Sequence, residues 1–430
     1  MNNPNQPTNY DAVLGGQAPP PVDGIVLGGI EGAQMRLSSP DIKVRISALS
    51  EALNYSDAGL DIVIQALHSE SKQLQRAAYW LLRKRDEEKV KQALQNYKPW
   101  NLEERLRRYP GYRGDNVSIF ANRQVVDYAH QTGITDPANT AYALRCEYDE
   151  EESAVDKLAE LLQHPEAGKL EALIIGAWSG EVNTESSSAI IEALVAASYK
   201  LTNIKALFIG DIHYQECEIS WIVQSDISPI LQAYSNLEIL QVRGGTGLEF
   251  SPVQHDNLEA LIVETGGLNP DTIAQICACN FPQLTHLELW LGSADYGGHS
   301  SIDDLRPILI EAVFPNLVYL GLRNSTYSND IAETVINSPL IDSIKILDLS
   351  MGTLTDIGAD VLLKSSEVRQ LDILNISENY LSDDKVALLS LQESRGNFNV
   401  HVMTNEQKKD EDYGYDEEDE DVYRYCSVAE

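Results

Sequence analysis

The stretch Ile344 to Asp383, IKILDLSMGTLTDIGADVLLKSSEVRQLDILNISENYLSD, decides the architecture because it holds one pattern written twice. Ile346-Leu347-Asp348-Leu349-Ser350 returns 27 residues later as Ile373-Leu374-Asn375-Ile376-Ser377. Leu354-Thr355-Asp356 likewise returns as Leu381-Ser382-Asp383, so the register holds beyond the apolar core. Apolar residues alternating with polar ones have the period of a strand, and a fixed repeat of this length marks one strand–helix unit stacked on its neighbours.

Similar cores begin at Leu170, Ile204, Leu237, Leu258, Leu284, Leu317, Ile344 and Leu371, at spacings of 34, 33, 21, 26, 33, 27 and 27 residues. A last strand, Phe398 to Val402, falls 27 residues further on. An L-x-x-L-x-L core at this period is the signature of a leucine-rich repeat. The 27-residue units fit the ribonuclease-inhibitor-like type, which alternates a strand with a full helix. Longer units carry extra loop residues, as at 177–186, 210–225 and 291–301. The 21-residue unit, Leu237 to Asn257, is too short for a helix, so GGTGLEFSPVQHDN is expected to cross back as an irregular loop. Two short strands at 119–128 and 141–146 precede the first repeat.

In such a core the leucines point into the solenoid and the residues between them line a concave parallel sheet. Stacking turns each intervening position into a row. One row reads Ile174, Phe208, Gln241, Ile262, Glu288, Gly321, Asp348, Asn375; the next reads Gly176, Gly210, Arg243, Glu264, Trp290, Arg323, Ser350, Ser377. The preceding row adds His286 and Tyr319. Trp290 flanked by Arg243, Arg323, His286 and Tyr319 has the composition of an interface hot spot. The candidate protein-binding residues are therefore Phe208, Asp211, Arg243, Glu264, His286, Glu288, Trp290, Tyr319, Arg323 and Asp348. The competing reading packs Trp290 under the 292–301 loop of its own repeat.

Signals for catalysis or cofactors are weak. His286-x-Glu288 puts two potential ligands on one face but finds no third, and no metal or other cofactor is expected. Asp211, His213, Glu216 and Glu218 share one long loop, where a solvating or loop-anchoring role outweighs catalysis. Gly244-Gly245-Thr246-Gly247 lacks the lysine and the strand–loop–helix frame of a phosphate cradle. Ser69-x-x-Lys72 falls at a helix start, where serine serves as a cap.

Towards the front of the chain the period changes to that of helices. Residues 1–38 read as a flexible Gly/Pro leader, with Val13-Leu14-Gly15-Gly16 echoed by Val26-Leu27-Gly28-Gly29. Four amphipathic helices then occupy 39–98, opened by Ser39-Pro40-Asp41. Pro40, Val44-Arg45, Ala48, Ala52-Leu53, Gln75-Arg76-Ala77-Ala78 and Leu81-Leu82 resemble the bacterial HEAT repeats, a resemblance that implies a docking element without chemistry of its own. The whole is expected to be an α/β leucine-rich-repeat solenoid, a horseshoe with a parallel sheet and outer helices, preceded by a small all-α HEAT-like module. Residues 99–118, with Arg105, Arg107, Arg108 and Arg113 among tyrosines, read as a linker. The repeat domain spans 119–404.

That domain is also similar to one bacterial leucine-rich-repeat family. The residues that carry the likeness are Gly176-Ala177-Trp178, Glu216-Cys217-Glu218-Ile219-Ser220-Trp221, Gln224-Ser225-Asp226 and Arg243 to Gly247 with Phe250 to Val253. Further along they are Glu288 to Gly292, Tyr296-Gly297-Gly298 and Leu320 to Ser325. The resemblance implies no activity. The front helices are an addition to it.

The formal charge is −34, from 32 Lys and Arg against 66 Asp and Glu. It is unevenly spread: residues 31–108 hold 14 basic against 11 acidic side chains, and the remainder 18 against 55. Such a chain repels nucleic acid and anionic membranes and steers basic partners inward. Its first residues carry no basic n-region or apolar h-region, and five cysteines without ligand spacing fit a reducing cytoplasm. Residues 405–430 form an acidic tail that turns aromatic and apolar at Val422-Tyr423-Arg424-Tyr425-Cys426-Ser427-Val428, a segment expected to dock as a strand or plug. Taken together, these features predict a non-enzymatic scaffold that binds a protein, of basic surface, on the concave face. The alternative is a stoichiometric inhibitor or regulator of a basic enzyme or toxin; an enzyme using the 211–218 loop comes last.

Overall fold

A computed structural model describes residues 29–69, 71–83, 85–96, 115–146, 152–394, 400–410 and 424–428. The first 28 residues of the leader, the arginine-rich part of the 99–118 linker and the acidic run 411–423 lie outside the described residues. The chain divides into two compact units, Met1–Trp100 and Asn101–Glu430.

The first unit contains α1 (Gly29–Leu37), α2 (Ile42–Ala52), α3 (Ser56–Ala66), α4 (Lys72–Leu82) and α5 (Glu88–Asn96). Their apolar stripes meet in a core of Leu49, Leu60, Val63, Leu67, Leu74, Ala78, Leu82 and Val90. At Gly59 an added Cβ would lie 1.7 Å from the Ala52 carbonyl oxygen, so only glycine permits this approach of α3 to α2. Ser71 caps α4 by accepting from the Leu74 N–H at 3.4 Å. Residues 29–37, whose composition reads as the end of the leader, form α1 instead. Gly32 and Ala33 are small enough to be buried, and Arg36 pairs with Glu51 of α2.

The second unit is built on a 12-stranded sheet whose strands lie in chain order. They are β1 (Ile119–Phe120), β2 (Arg123–Asp127), β3 (Thr140–Leu144), β4 (Ala172–Ile175), β5 (Ala206–Ile209) and β6 (Ile239–Arg243). Then follow β7 (Ala260–Glu264), β8 (His286–Gly292), β9 (Tyr319–Ser325), β10 (Ile346–Asp348), β11 (Ile373–Asn375) and β12 (His401–Met403). β1 runs antiparallel to β2, and every later pairing is parallel. Consecutive parallel neighbours require a crossover in each repeat, and helices at 188–197, 270–277, 328–335 and 356–364 supply it. One continuous apolar core runs between sheet and helices from Ile134 to Val402.

No helix forms in the short unit after β6. There the chain is pinned by isolated bridges of Thr246 with Val223 and of Glu249 with Asp226, while Phe250, fully buried, fills the core. The side chain of Gln275, in the helix of the next repeat, accepts from the Phe250 N–H at 2.8 Å and so ties the loop to that helix.

Candidate functional site

The observed register aligns Ile174, Phe208, Gln241, Ile262, Glu288, Gly321, Asp348 and Asn375 in one row. The next row pairs Arg243 with Glu264 and Trp290 with Arg323, and His286 lies against Tyr319 in the row before. These are the rows that the spacing of the cores predicts. All ten candidate residues fall on or beside them, and all ten are buried.

Two knots of buried charge hold the rows. In the first, the Arg243 guanidinium donates through Nε to Glu264 Oε2 at 2.9 Å, and Gln241 donates to Glu264 Oε1 at 2.9 Å. The same guanidinium lies 5.2 Å from the Phe208 ring centroid, and its Nη1 is 3.6 Å from Asp211 Oδ1. Asp211 accepts from Arg145 at 2.5 Å and from the Val117 N–H at 3.1 Å. In the second knot, Glu288 Oε1 accepts from Trp290 Nε1 at 2.8 Å and from Arg323 Nη1 at 2.9 Å. Arg323 also donates through Nε to Ser350 Oγ at 2.9 Å and lies 5.2 Å from the Trp290 ring. The Tyr319 hydroxyl is 3.0 Å from Asp348 Oδ2 and 3.3 Å from Glu288 Oε2, and His286 stacks on the Tyr319 ring at 3.9 Å. Buried charges persist only when paired and hydrogen-bonded, so these contacts account for the burial.

Two segments of the unit's own chain cover these rows. At one end, Asn116 donates to the Asp211 carbonyl at 2.6 Å, and the Phe120 ring sits 5.9 Å from Phe208. At the other end lies the segment 424–428. Its burial alternates: Tyr425 and Ser427 are exposed, while Cys426 and Val428 are 2% and 3% exposed. Val428 packs with Ile219, Met351 and Trp290 in one apolar cluster. The Asn324 carboxamide binds both backbone groups of Val428, accepting from its N–H at 2.8 Å and donating to its C=O at 2.5 Å. The Ser427 N–H donates to the Met351 carbonyl at 2.8 Å. Asn324, the next-to-last residue of β9, and Met351, in the turn after β10, have φ of 53° and 70°, the left-handed region of backbone space.

Arg424 grips Asp410 through two bonds of 2.7 and 2.8 Å and lies over the Tyr380 ring at 5.6 Å. Lys408 donates to the Tyr425 carbonyl at 2.9 Å. Burial pushes the Lys408 ammonium down to about 8 and the Cys426 thiol up to about 11. Trp290 is thus packed with Val428, Ile219 and Met351, with Arg323 against the ring. Asn324, Met351, Tyr380 and Lys408 escape a reading based on repeats because each acts through a contact about 17 to 104 residues away in the chain.

The 211–218 loop does not gather its polar groups. Asp211 faces inward to arginine, Glu216 accepts from the His213 N–H at 3.1 Å to close its own turn, and Glu218 is exposed. Among the described residues no set of three or more His, Cys, Asp or Glu side chains could hold a metal ion, and no helix is long and apolar enough to cross a membrane.

A twelve-stranded sheet in chain order, crossed back by helices and faced with rows of repeat residues, defines an α/β repeat solenoid of the leucine-rich-repeat type. No protein-family model matches the chain. The crystal structure of a Bacteroides fragilis protein, determined by a structural-genomics consortium, is similar at a TM-score of 0.57 and 30% identity, covering 62% of this chain and 74% of that one. At that identity and coverage the chain belongs to one family with the Bacteroides fragilis protein. Protein NLRC5 of Ictalurus punctatus is 41% identical over 73 residues, which is 16% of this chain and 4% of NLRC5. The chain therefore spans only a small part of that curated relative.

Proposed function

We propose that the protein is a non-catalytic interaction scaffold that binds a protein across the concave face of the repeat unit and the loop at its strand-to-helix edge. One observation carries this reading: the face already takes up polypeptide, with alternate side chains of 424–428 turned inward and the backbone of Val428 bound by Asn324. Phe208, Asp211, Arg243, Glu264, His286, Glu288, Trp290, Tyr319, Arg323 and Asp348 form the rigid platform beneath. The accessible part is the rim, where Trp221 and Tyr214 are 59% and 48% exposed on the 211–225 loop. Exposed aromatic side chains beside a broad face are the anchors that dominate protein interfaces.

The charge of −34 favours a partner of basic surface, and the front helices, read as HEAT-like repeats, would serve as a second docking element. The five cysteines are free thiols, in keeping with work in the cytoplasm. The test is cross-linked affinity capture from the native cell with the full chain and with Trp221→Ala. A specific partner is expected to be lost by about 10-fold or more with the variant, the range of a hot-spot truncation. A partner captured equally by both proteins would sink the rim as the site.

A further inference from the structure

The contacts of 424–428 are those of a receptor with a bound peptide. The Asn324 carboxamide engages N–H and C=O of one residue at once, a pairing that any extended backbone satisfies whatever its side chain. The Ser427 N–H adds a main-chain bond to the Met351 carbonyl. Selectivity sits in three places. Ile219, Met351 and Trp290 enclose a short aliphatic side chain at Val428. A small apolar side chain is buried two residues earlier, at Cys426. A cation stands two residues before that, where Asp410 and Tyr380 hold Arg424.

We propose that the concave face is a receptor for an extended peptide with a short aliphatic residue, a small apolar residue two positions before it and a cation two before that, and that the chain keeps this groove closed with its own segment 424–428. This rests on the scaffold reading and adds how the partner enters, by exchange with the resident segment. Thirteen residues, 411–423, separate Asp410 from Arg424, and eight of them are carboxylates. Covalent connection over a span of this length holds a segment at an effective concentration on the order of 1 mM, so a free peptide of about 10 μM affinity meets a groove closed about 100-fold in favour of the resident segment. Of the candidate residues, Trp290 packs directly against the segment, while Phe208 and Asp211 are covered by residues 116–120. The segment is the replaceable part of that cover.

The experiment uses the full chain, as wild type and as Val428→Asp, which puts a charge into the apolar enclosure. A labelled synthetic peptide with the sequence of residues 421–430 is titrated against each protein, and alkylation of every cysteine is followed by mass spectrometry. Val428→Asp is expected to alkylate Cys426 at the rate of the free peptide while Cys146 and Cys279, buried in the repeat core, stay protected. It should bind the added peptide at least about 10-fold more tightly than wild type does, and Asn324→Ala in the same chain should abolish that binding. If Val428→Asp also exposes Cys146 and Cys279, Val428→Ser carries the same comparison in a folded chain.

Equal alkylation of Cys426 in wild type and variant would overturn the resident segment. A released segment with no peptide binding would overturn the receptor. A cellular partner captured equally by both proteins would remove the exchange and leave the scaffold intact. Peptide binding as expected, with no partner that depends on Trp221, would leave the receptor standing and sink the rim.

Discussion

β8 and β9 run for seven residues each with every position buried, whereas β10 and β11, in the regular repeats, run for three. The difference lies in how each pair satisfies its polar groups. In the regular repeats the work is partly local: Asp348 Oδ1 accepts from the Ser350 N–H at 3.0 Å, and Asn375 Oδ1 accepts from the Ser377 N–H at 3.2 Å. Each unit completes the same small turn 27 residues after the last. In β8 and β9 longer reaches join the local bond of Trp290 to Glu288: Glu288 is bound by Arg323 from 35 residues away and Asn324 by Val428 from 104 away. Regularity therefore marks the frame, and departures from it mark where the chain is bound by something outside its own repeat.

The largest break in that contrast should come from Arg323→Ala, which leaves Glu288 and Asp348 buried without their cation. Chemical denaturation is expected to show a loss of about 3–5 kcal/mol. Trp290→Ala empties the centre of the same cluster and should cost about 3–4 kcal/mol by the same measurement. Its effect on partner binding must then be read at a temperature where the variant remains folded. Asn375→Ala removes only a local cap and a bond to Asp348, and about 1 kcal/mol is expected. A loss as large as that of Arg323→Ala would erase the distinction between frame and site.

The smallest effect is that of pH on the resident segment, read as protection of Cys426 relative to the free peptide at each pH. Docking holds Lys408 near 8, below the ordinary lysine value, so the released state binds more protons between about 8 and 10.5 and docking tightens as pH rises through that window. Docking also holds the Cys426 thiol near 11, above its ordinary value, so docking weakens as pH rises from about 9 towards 11. Protection should therefore climb from pH 8 to a maximum near 9 and then flatten or fall. With Lys408→Met the climb should disappear.

Much of this was legible in the residues. The repeat of Ile346–Ser350 at Ile373–Ser377 announces both the strand and its crossover, and the spacing of the cores places Glu288, Gly321, Asp348 and Asn375 in one row. The loop after β6 was legible from its length alone. The burial of that row was not. Glu264, Glu288 and Asp348 are residue types that ordinarily face water, and only their arginine, tyrosine and asparagine partners in adjacent strands make their burial favourable. The helix α1 is hidden for a related reason: Gly29 and Gly32 weaken a helix by propensity, and it is the close packing of Gly32 and Ala33 in the first unit that favours one.

The sequence by itself determined the solenoid, its strand order and the residues that share each row, because a period-2 strand inside a fixed repeat leaves little freedom in register. Tertiary structure alone decided what the rows face. Trp290 meets Val428, 138 positions further along, through the Asn324 carboxamide and an ion pair at Asp410 that no period encodes. Repetition specifies contacts between neighbouring repeats; the return of 424–428 is a single, non-repeating contact, and it is set by the shape and hydrogen-bonding groups of the folded face.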